Sequence, residues 1–281
     1  MIKKGGGRPP HRSSDRSKGP SRSTRWSQND GVSYRIPNEG EWFLAGVNGV
    51  REALRSPRVK VRHIFVDPRA MEQDMRDLLR QYSGPIEELK GRETPFGMSS
   101  QGIAALVAEP LQEEGDTLLE RLKEEGKVPL LVALDQVEDP MNLGQILRTC
   151  EGAGVDGVIL LKHRSIHLNQ TVAQVSQGAF AWIPVLEVTN LRNSLEFFKE
   201  RDLWVVGCEG SEDAEPWSRC ELTLPTVLVF GAEGQGMRPL TRKTCDRLGR
   251  LPMNGHMESL NVGAAVSAFV YEAVRQRLAS K

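Results

Sequence analysis

The chain has 281 residues, 39% hydrophobic and 26% charged, a balance suited to a soluble globular protein of one large or two modest domains. No run approaches the roughly 18 consecutive apolar residues that span a bilayer, and no apolar stretch follows the basic N-terminus as in a secretory signal. The formal net charge is zero, yet residues 1–25 set eight Lys and Arg against one acid, Asp15. That segment is rich in Gly, Ser and Pro and cannot bury enough apolar surface to fold alone. Residues 1–40 are therefore expected to form a disordered basic arm, either a tether for nucleic acid or a solubilising tail. Order is expected from near Glu41. WFLAGVNGVREALRS (Trp42–Ser56) reads as a turn and a short helix, and VRHIFVD as a strand. MEQDMRDLLRQ carries apolar residues at helical spacing, and QGIAALVAEP is a further strand. Residues 41–110 thus make a small α/β domain, and 111–127 a charged linker with a short helix.

From Val128 strands and helices alternate. VPLLVALD is a continuous apolar run, as in a strand buried on both faces. A helix over Met141–Gly152 follows, then GVILL, a helix from Gln170, the strand WIPVLEV and the helix LRNSLEFFKE. LWVVGCEG and PTVLVFGAEG are strands, RPLTRKTC a short helix, RLGRLPM a last strand, and a helix from Asn261 closes the chain. Such alternation predicts a mostly parallel sheet with helices on both faces. Ligands of such sheets sit at the carboxyl ends of the strands. The loops after Asp135, Phe230 and Met253 are therefore the candidate site.

In the first loop, LDQVEDPMNLGQILRTCEGAG, Asp139 is a good N-cap and Pro140 a good first helical residue. Leu143, Ile146, Leu147 and Cys150 form the buried stripe, leaving Asn142, Gln145, Arg148 and Thr149 off it. Arg148 is by spacing a solvated residue, or else a functional one above a strand end. In LVFGAEGQGM the glycines allow a sharp turn and a close approach to a ligand, though neither a Walker P-loop nor GxGxxG is present. Glu233 is either a plain exposed acid or an acceptor for an amino or hydroxyl group. In LPMNGHMESLNVGAAV the small residues from Gly263 allow tight helix packing. Cys150, Cys208, Cys220 and Cys245 show no CxxC spacing and are expected to be reduced, structural thiols of a cytoplasmic protein. His163 and His167 lack suitable partners for a metal and read as surface or RNA-facing residues.

Together, DPMNLGQILRTCEGAG, LVFGAEGQGM and LPMNGHMESLNVGAAV resemble the three motifs of the SpoU (TrmH) family of RNA ribose 2′-O-methyltransferases, over about Val128–Arg277. GVNGVREAL and SSQGIAAL resemble the ribosomal-protein-like RNA-binding domain of its bacterial members. KHRSIHLN and VTNL fit the subgroup that methylates a guanosine of large-subunit rRNA. The resemblance implies an α/β sheet with a C-terminal trefoil knot, a rare exception to unknotted topology. It implies S-adenosylmethionine as cofactor, 23S rRNA or a large-subunit assembly intermediate as substrate, a homodimer, and no metal. By position it assigns Gly231, Leu251 and Leu260 to the cofactor, and Arg148, Asn142, Glu233, Ser259 and Asn261 to catalysis and substrate binding. Two positions depart from the family pattern: Gly263 stands where many members have Ser, and Ser100 where many have His. Methylation of tRNA or another rRNA site, or RNA binding without catalysis during ribosome assembly, are the alternatives.

Overall fold

A computed structural model describes residues 26–29, 32–35, 37–89 and 100–280. Residues 1–25, most of the expected arm, lie outside the described residues. The chain divides between Ile36 and Pro37 into two units. In the first, strands β1 (Trp26–Asn29) and β2 (Val32–Arg35) pair antiparallel, Trp26 opposite Arg35. This pair falls within the 1–40 stretch that composition marks as disordered. Asp30-Gly31 between them is a local hairpin signal that an average over forty residues hides.

The second unit opens with β3 (Glu41–Ala45), α1 (Val47–Arg55), β4 (Val61–Val66), α2 (Gln73–Gln81), β5 (Ile86–Glu88) and β6 (Ile103–Ala108). The strands form a sheet in the order β3-β6-β4-β5, antiparallel except between β4 and β5. Trp42–Ala45, expected as a turn, is a strand buried at all four positions, so no polar alternation marks it. Ser100 is buried, and its hydroxyl accepts from the Gly102 N–H at 3.1 Å, so it braces the tight turn into β6.

After α3 (Gly115–Glu124) come β7 (Leu130–Asp135), α4 (Pro140–Gly152), β8 (Gly157–Leu161), α5 (Gln170–Val175), β9 (Val185–Val188) and α6 (Leu191–Lys199). β10 (Trp204–Cys208), β11 (Glu215–Pro216), β12 (Thr226–Gly231), α7 (Pro239–Thr244), β13 (Arg247–Arg250) and α8 (Val262–Ala279) complete the chain. Their seven strands lie in the order β11-β13-β10-β12-β7-β8-β9, every pairing parallel. β7 and β8 are buried at every residue, as expected of central parallel strands. One face packs Leu143, Ile146 and Leu147 of α4 and Val266 and Phe269 of α8. The other packs Leu118 and Leu122 of α3 and Leu195 and Phe198 of α6. Each such fully buried side chain contributes about 1.5–3 kcal/mol.

Two expected strands are shorter than their apolar patterns. β9 starts only after Pro184, and β13 stops at Arg250, before Pro252. Proline has no N–H for the ladder, so Leu251–Met253 belongs to a loop. The carbonyls of Val128, Pro129, Leu222 and Leu224 accept from the Arg277 guanidinium at 2.7–2.9 Å, anchoring α8 beneath the starts of β7 and β12. The small sheet meets the large one through side chains. Gln174 of α5 exchanges two hydrogen bonds with the Ala45 backbone, at 3.0 and 2.7 Å. The Ser56 hydroxyl donates to the Ala181 carbonyl, and Trp182 Nε1 donates to Glu52 at 2.9 Å.

Candidate active site

The site starts from register. Asp135 and Gly231, the last residues of β7 and β12, are paired neighbours, so two of the three loops leave the sheet side by side. Beyond β7, the Asp139 carboxylate accepts the Met141 N–H at 2.9 Å and starts α4, with Pro140 in its first turn. This puts Asn142 on the inner side of the first turn, 5% exposed.

Beyond β12 the chain folds back on itself. A Cβ on Gly231 would stand 2.0 Å from the Gly236 carbonyl carbon and 2.2 Å from the Met237 nitrogen, so only glycine fits. Gly234 and Gly236 take φ of +75° and +66°. The turn closes with the Gly236 N–H on the Ala232 carbonyl at 2.9 Å. It is tied to the neighbouring strand by Arg238, whose backbone N–H donates to Asp135 Oδ2 at 2.9 Å and whose Nε donates to Oδ1 at 2.7 Å. Asp135 is fully buried, and Arg238 is its ion-pair partner. A buried carboxylate needs such a partner.

The third loop delivers Asn261 as the N-cap of α8. Its Oδ1 accepts the Gly263 and Ala264 N–H groups at 2.9 and 3.3 Å. Its Nδ2 donates to Asn142 Oδ1 at 2.8 Å and to Glu233 Oε1 at 2.7 Å. Asn142 Nδ2 and the Val262 N–H donate to the same Glu233 oxygen at 3.2 and 3.3 Å. One carboxylate oxygen on the second loop thus gathers donors from the first and the third. The cleft above it, about 270 Å³, is lined among others by Gln136, Val137, Glu138, Gln235 and Val262.

Asn142, Glu233 and Asn261 are therefore brought together, with Gly231 at the base of the same turn. The other sequence-selected residues lie outside this hydrogen-bonded cluster. Arg148 is exposed on α4, a turn and a half past Asn142, with no side-chain hydrogen bond or ion pair among the described residues. Ser259 is exposed, Leu260 is 46% exposed, and Leu251 is half-buried against the main core. Asp135 and Arg238 were not selected from the sequence. The available signal was an acid closing the apolar run of β7.

The small residues of α8 bring it close to α4. Thr149 and Ser267 share a hydrogen bond at 3.1 Å, and Ser267 Oγ donates to the Gly263 carbonyl at 2.8 Å. All four cysteines are free. Burial pushes the Cys150 and Cys208 thiols far above the ordinary range, Cys220 to about 11 and Cys245 to about 12. Such thiols are packed rather than nucleophilic. His167 Nδ1 lies 2.9 Å from Glu187 Oε1, and His163 is exposed. Among the described residues, no group of three or more His, Cys, Asp or Glu is placed to hold a metal ion.

Three motif loops leave the carboxyl edge of one parallel sheet together, and residues 129–271 match the SpoU rRNA Methylase family. The chain belongs to that family. It is 43% identical over 240 residues to the 23S rRNA (guanosine-2′-O-)-methyltransferase RlmB of Pseudomonas aeruginosa, covering 83% of this chain and 95% of the relative. The RlmB of Pseudomonas syringae pv. tomato is 41% identical over 247 residues, covering 85% and 97%. The crystal structure of the SpoU methyltransferase AviRb from Streptomyces viridochromogenes, in complex with the cofactor AdoMet, superposes with a TM-score of 0.73 at 26% identity, covering 86% of this chain and 92% of AviRb.

Proposed function

We propose that this protein transfers a methyl group from S-adenosylmethionine to the ribose 2′-hydroxyl of a guanosine in 23S rRNA. The observation that carries the reading is the Asn142–Glu233–Asn261 cluster, built from all three motif loops at the rim of one cleft. The 43% identity to a relative named for this reaction supports the substrate.

The residues present fit the cofactor. Gly234 and Gly236 offer bare backbone with no atom within 4 Å of where a Cβ would stand, leaving open space beside the turn. Gly231, Leu251 and Leu260 would hold the cofactor, largely through backbone groups. S-adenosylmethionine supplies a methyl carbon already activated by its sulfonium. The chain's own task is to align the acceptor oxygen and help its proton leave. The Arg148 guanidinium donates hydrogen bonds and has no acceptor site of its own. Its work is therefore electrostatic: it steadies the charge growing on the ribose oxygen or holds the neighbouring phosphate. Asn142, Ser259 and Asn261 orient the ribose, while Glu233 accepts the hydrogen bonds that lock Asn142 and Asn261.

The same reading makes residues 41–110 an RNA-binding domain, 111–127 a linker, 128–281 the methyltransferase domain, and the basic arm a tether. It makes the C-terminal segment a trefoil knot. Support comes from β13, which enters between β11 and β10 instead of adding at the sheet edge. The protein works as a homodimer in the cytoplasm. Among the described residues no helix is long and apolar enough to cross a membrane.

The test is transfer of radiolabelled methyl groups to separate pools of 23S rRNA, 16S rRNA and tRNA. Label confined to a ribose of 23S rRNA is expected. Label in another pool, or in none, overturns the assignment.

A further inference from the structure

Most described arginines have a carboxylate partner: Arg51 with Asp74, Arg58 and Arg121 with Glu113, Arg238 with Asp135, Arg242 with Glu209. Lys162, His163 and Arg164 differ. All three are exposed, consecutive, and without a side-chain hydrogen bond or ion pair among the described residues. They follow β8, at the carboxyl edge of the sheet, next to the strand that carries Asp135.

The loop is held in place. The Lys162 N–H donates to the Val188 carbonyl at 2.8 Å. Both the Ser165 hydroxyl and the Ile166 N–H donate to the Val137 carbonyl, at 3.0 and 2.9 Å. Val137 lines the cleft, so the basic run is pinned to the wall of the site itself. Between these ties Arg164 takes φ +55°, a backbone that side-chain-bearing residues rarely adopt. Nearby acids do little to neutralise the run. Asp139 caps α4, Glu187 is paired with His167, and Glu138 and Asp139, though exposed, form no ion pair with the run among the described residues.

We propose that Lys162, His163 and Arg164 dock the phosphate backbone of the substrate RNA beside the target ribose. An unpaired cationic strip on a fixed loop fits a polyanion, because binding releases counterions from the RNA without breaking an internal ion pair. The proposal rests on RNA as the substrate of the adjoining cleft.

The experiment compares the full chain with the Lys162→Ala/Arg164→Gly variant. Glycine suits the left-handed backbone at position 164, so the charge is removed without strain. Affinity for protein-free 23S rRNA is measured across KCl concentrations, beside initial rates and S-adenosylmethionine affinity. The slope of log affinity against log salt should shrink by about 0.7–0.9 per lost contact, raising Kd roughly 25- to 60-fold at 0.1 M salt for two contacts. The KM for RNA should rise while kcat and cofactor affinity hold. A Lys162→Arg/Arg164→Lys variant, which keeps both charges, should return the original slope. An unchanged slope, or a loss of cofactor affinity in its place, overturns the proposal. If the unaltered chain methylates 23S rRNA and the slope does not change, docking alone fails. If it methylates nothing and the slope still shrinks, docking stands and the assigned reaction fails.

Discussion

Arg148 projects from α4 with no anion among the described residues to balance it. A fixed donor aimed at developing negative charge is typically worth about 100- to 1000-fold in rate. Arg148→Ala is expected to lower kcat on 23S rRNA by at least about 100-fold, while calorimetric affinity for S-adenosylmethionine holds. A parallel loss of cofactor affinity would move Arg148 to the cofactor site. Asp135 acts at one remove. It is fully buried and accepts both the backbone N–H and the guanidinium of Arg238, which braces the turn holding Glu233. Asp135→Ala strips these acceptors, and urea denaturation should register a loss of about 1–3 kcal/mol. Cofactor affinity should weaken as the turn loosens. No change in either measurement would show that the brace is idle.

At the scale of elements, two glycines separate a required turn from a tolerant helix start. A Cβ at Gly231 would overlap backbone atoms at 2.0 and 2.2 Å, which no side-chain rotation can relieve. Gly231→Ala must open the turn, and S-adenosylmethionine affinity should fall by about tenfold or more. A Cβ at Gly263 would meet only side-chain atoms, Asn261 Oδ1 at 3.1 Å and the end of exposed Gln145 at 3.3 Å. Gln145 can swing away, and serine favours a helix over glycine by a few tenths of a kcal/mol. Gly263→Ser should therefore keep both melting temperature and turnover near those of the unaltered chain. A collapse of either would mean that the spacing between α4 and α8 has no slack.

At the scale of the molecule, Met141, Met257, Tyr271 and Leu278 are more than half exposed on the single chain. The proposed dimer would cover such side chains. Light scattering at micromolar concentration should give about twice the 31.2 kDa chain mass; a monomer would refute the dimer. Deleting residues 1–25 removes a strongly basic segment and should shrink the salt slope of RNA binding. An unchanged slope would make the arm a bystander. The sequence by itself determined the succession of strands and helices from Val128, apart from the two-residue β11, and the positions of the three motif loops. Apolar runs, N-caps and glycine turns act over a few residues, so their signals stay local. It misread Trp42–Ala45 as a turn and passed over β1, β2 and the three-residue β5, because a uniformly buried strand shows no alternation and very short strands vanish in an average. Tertiary structure alone decided that β13 lies between β11 and β10, and that Asn142 meets Glu233 and Asn261 across 91 and 119 positions of chain. It also decided that Asp135 finds Arg238 across 103 positions. Those contacts depend on how distant segments pack against one sheet, which no local pattern of residues encodes.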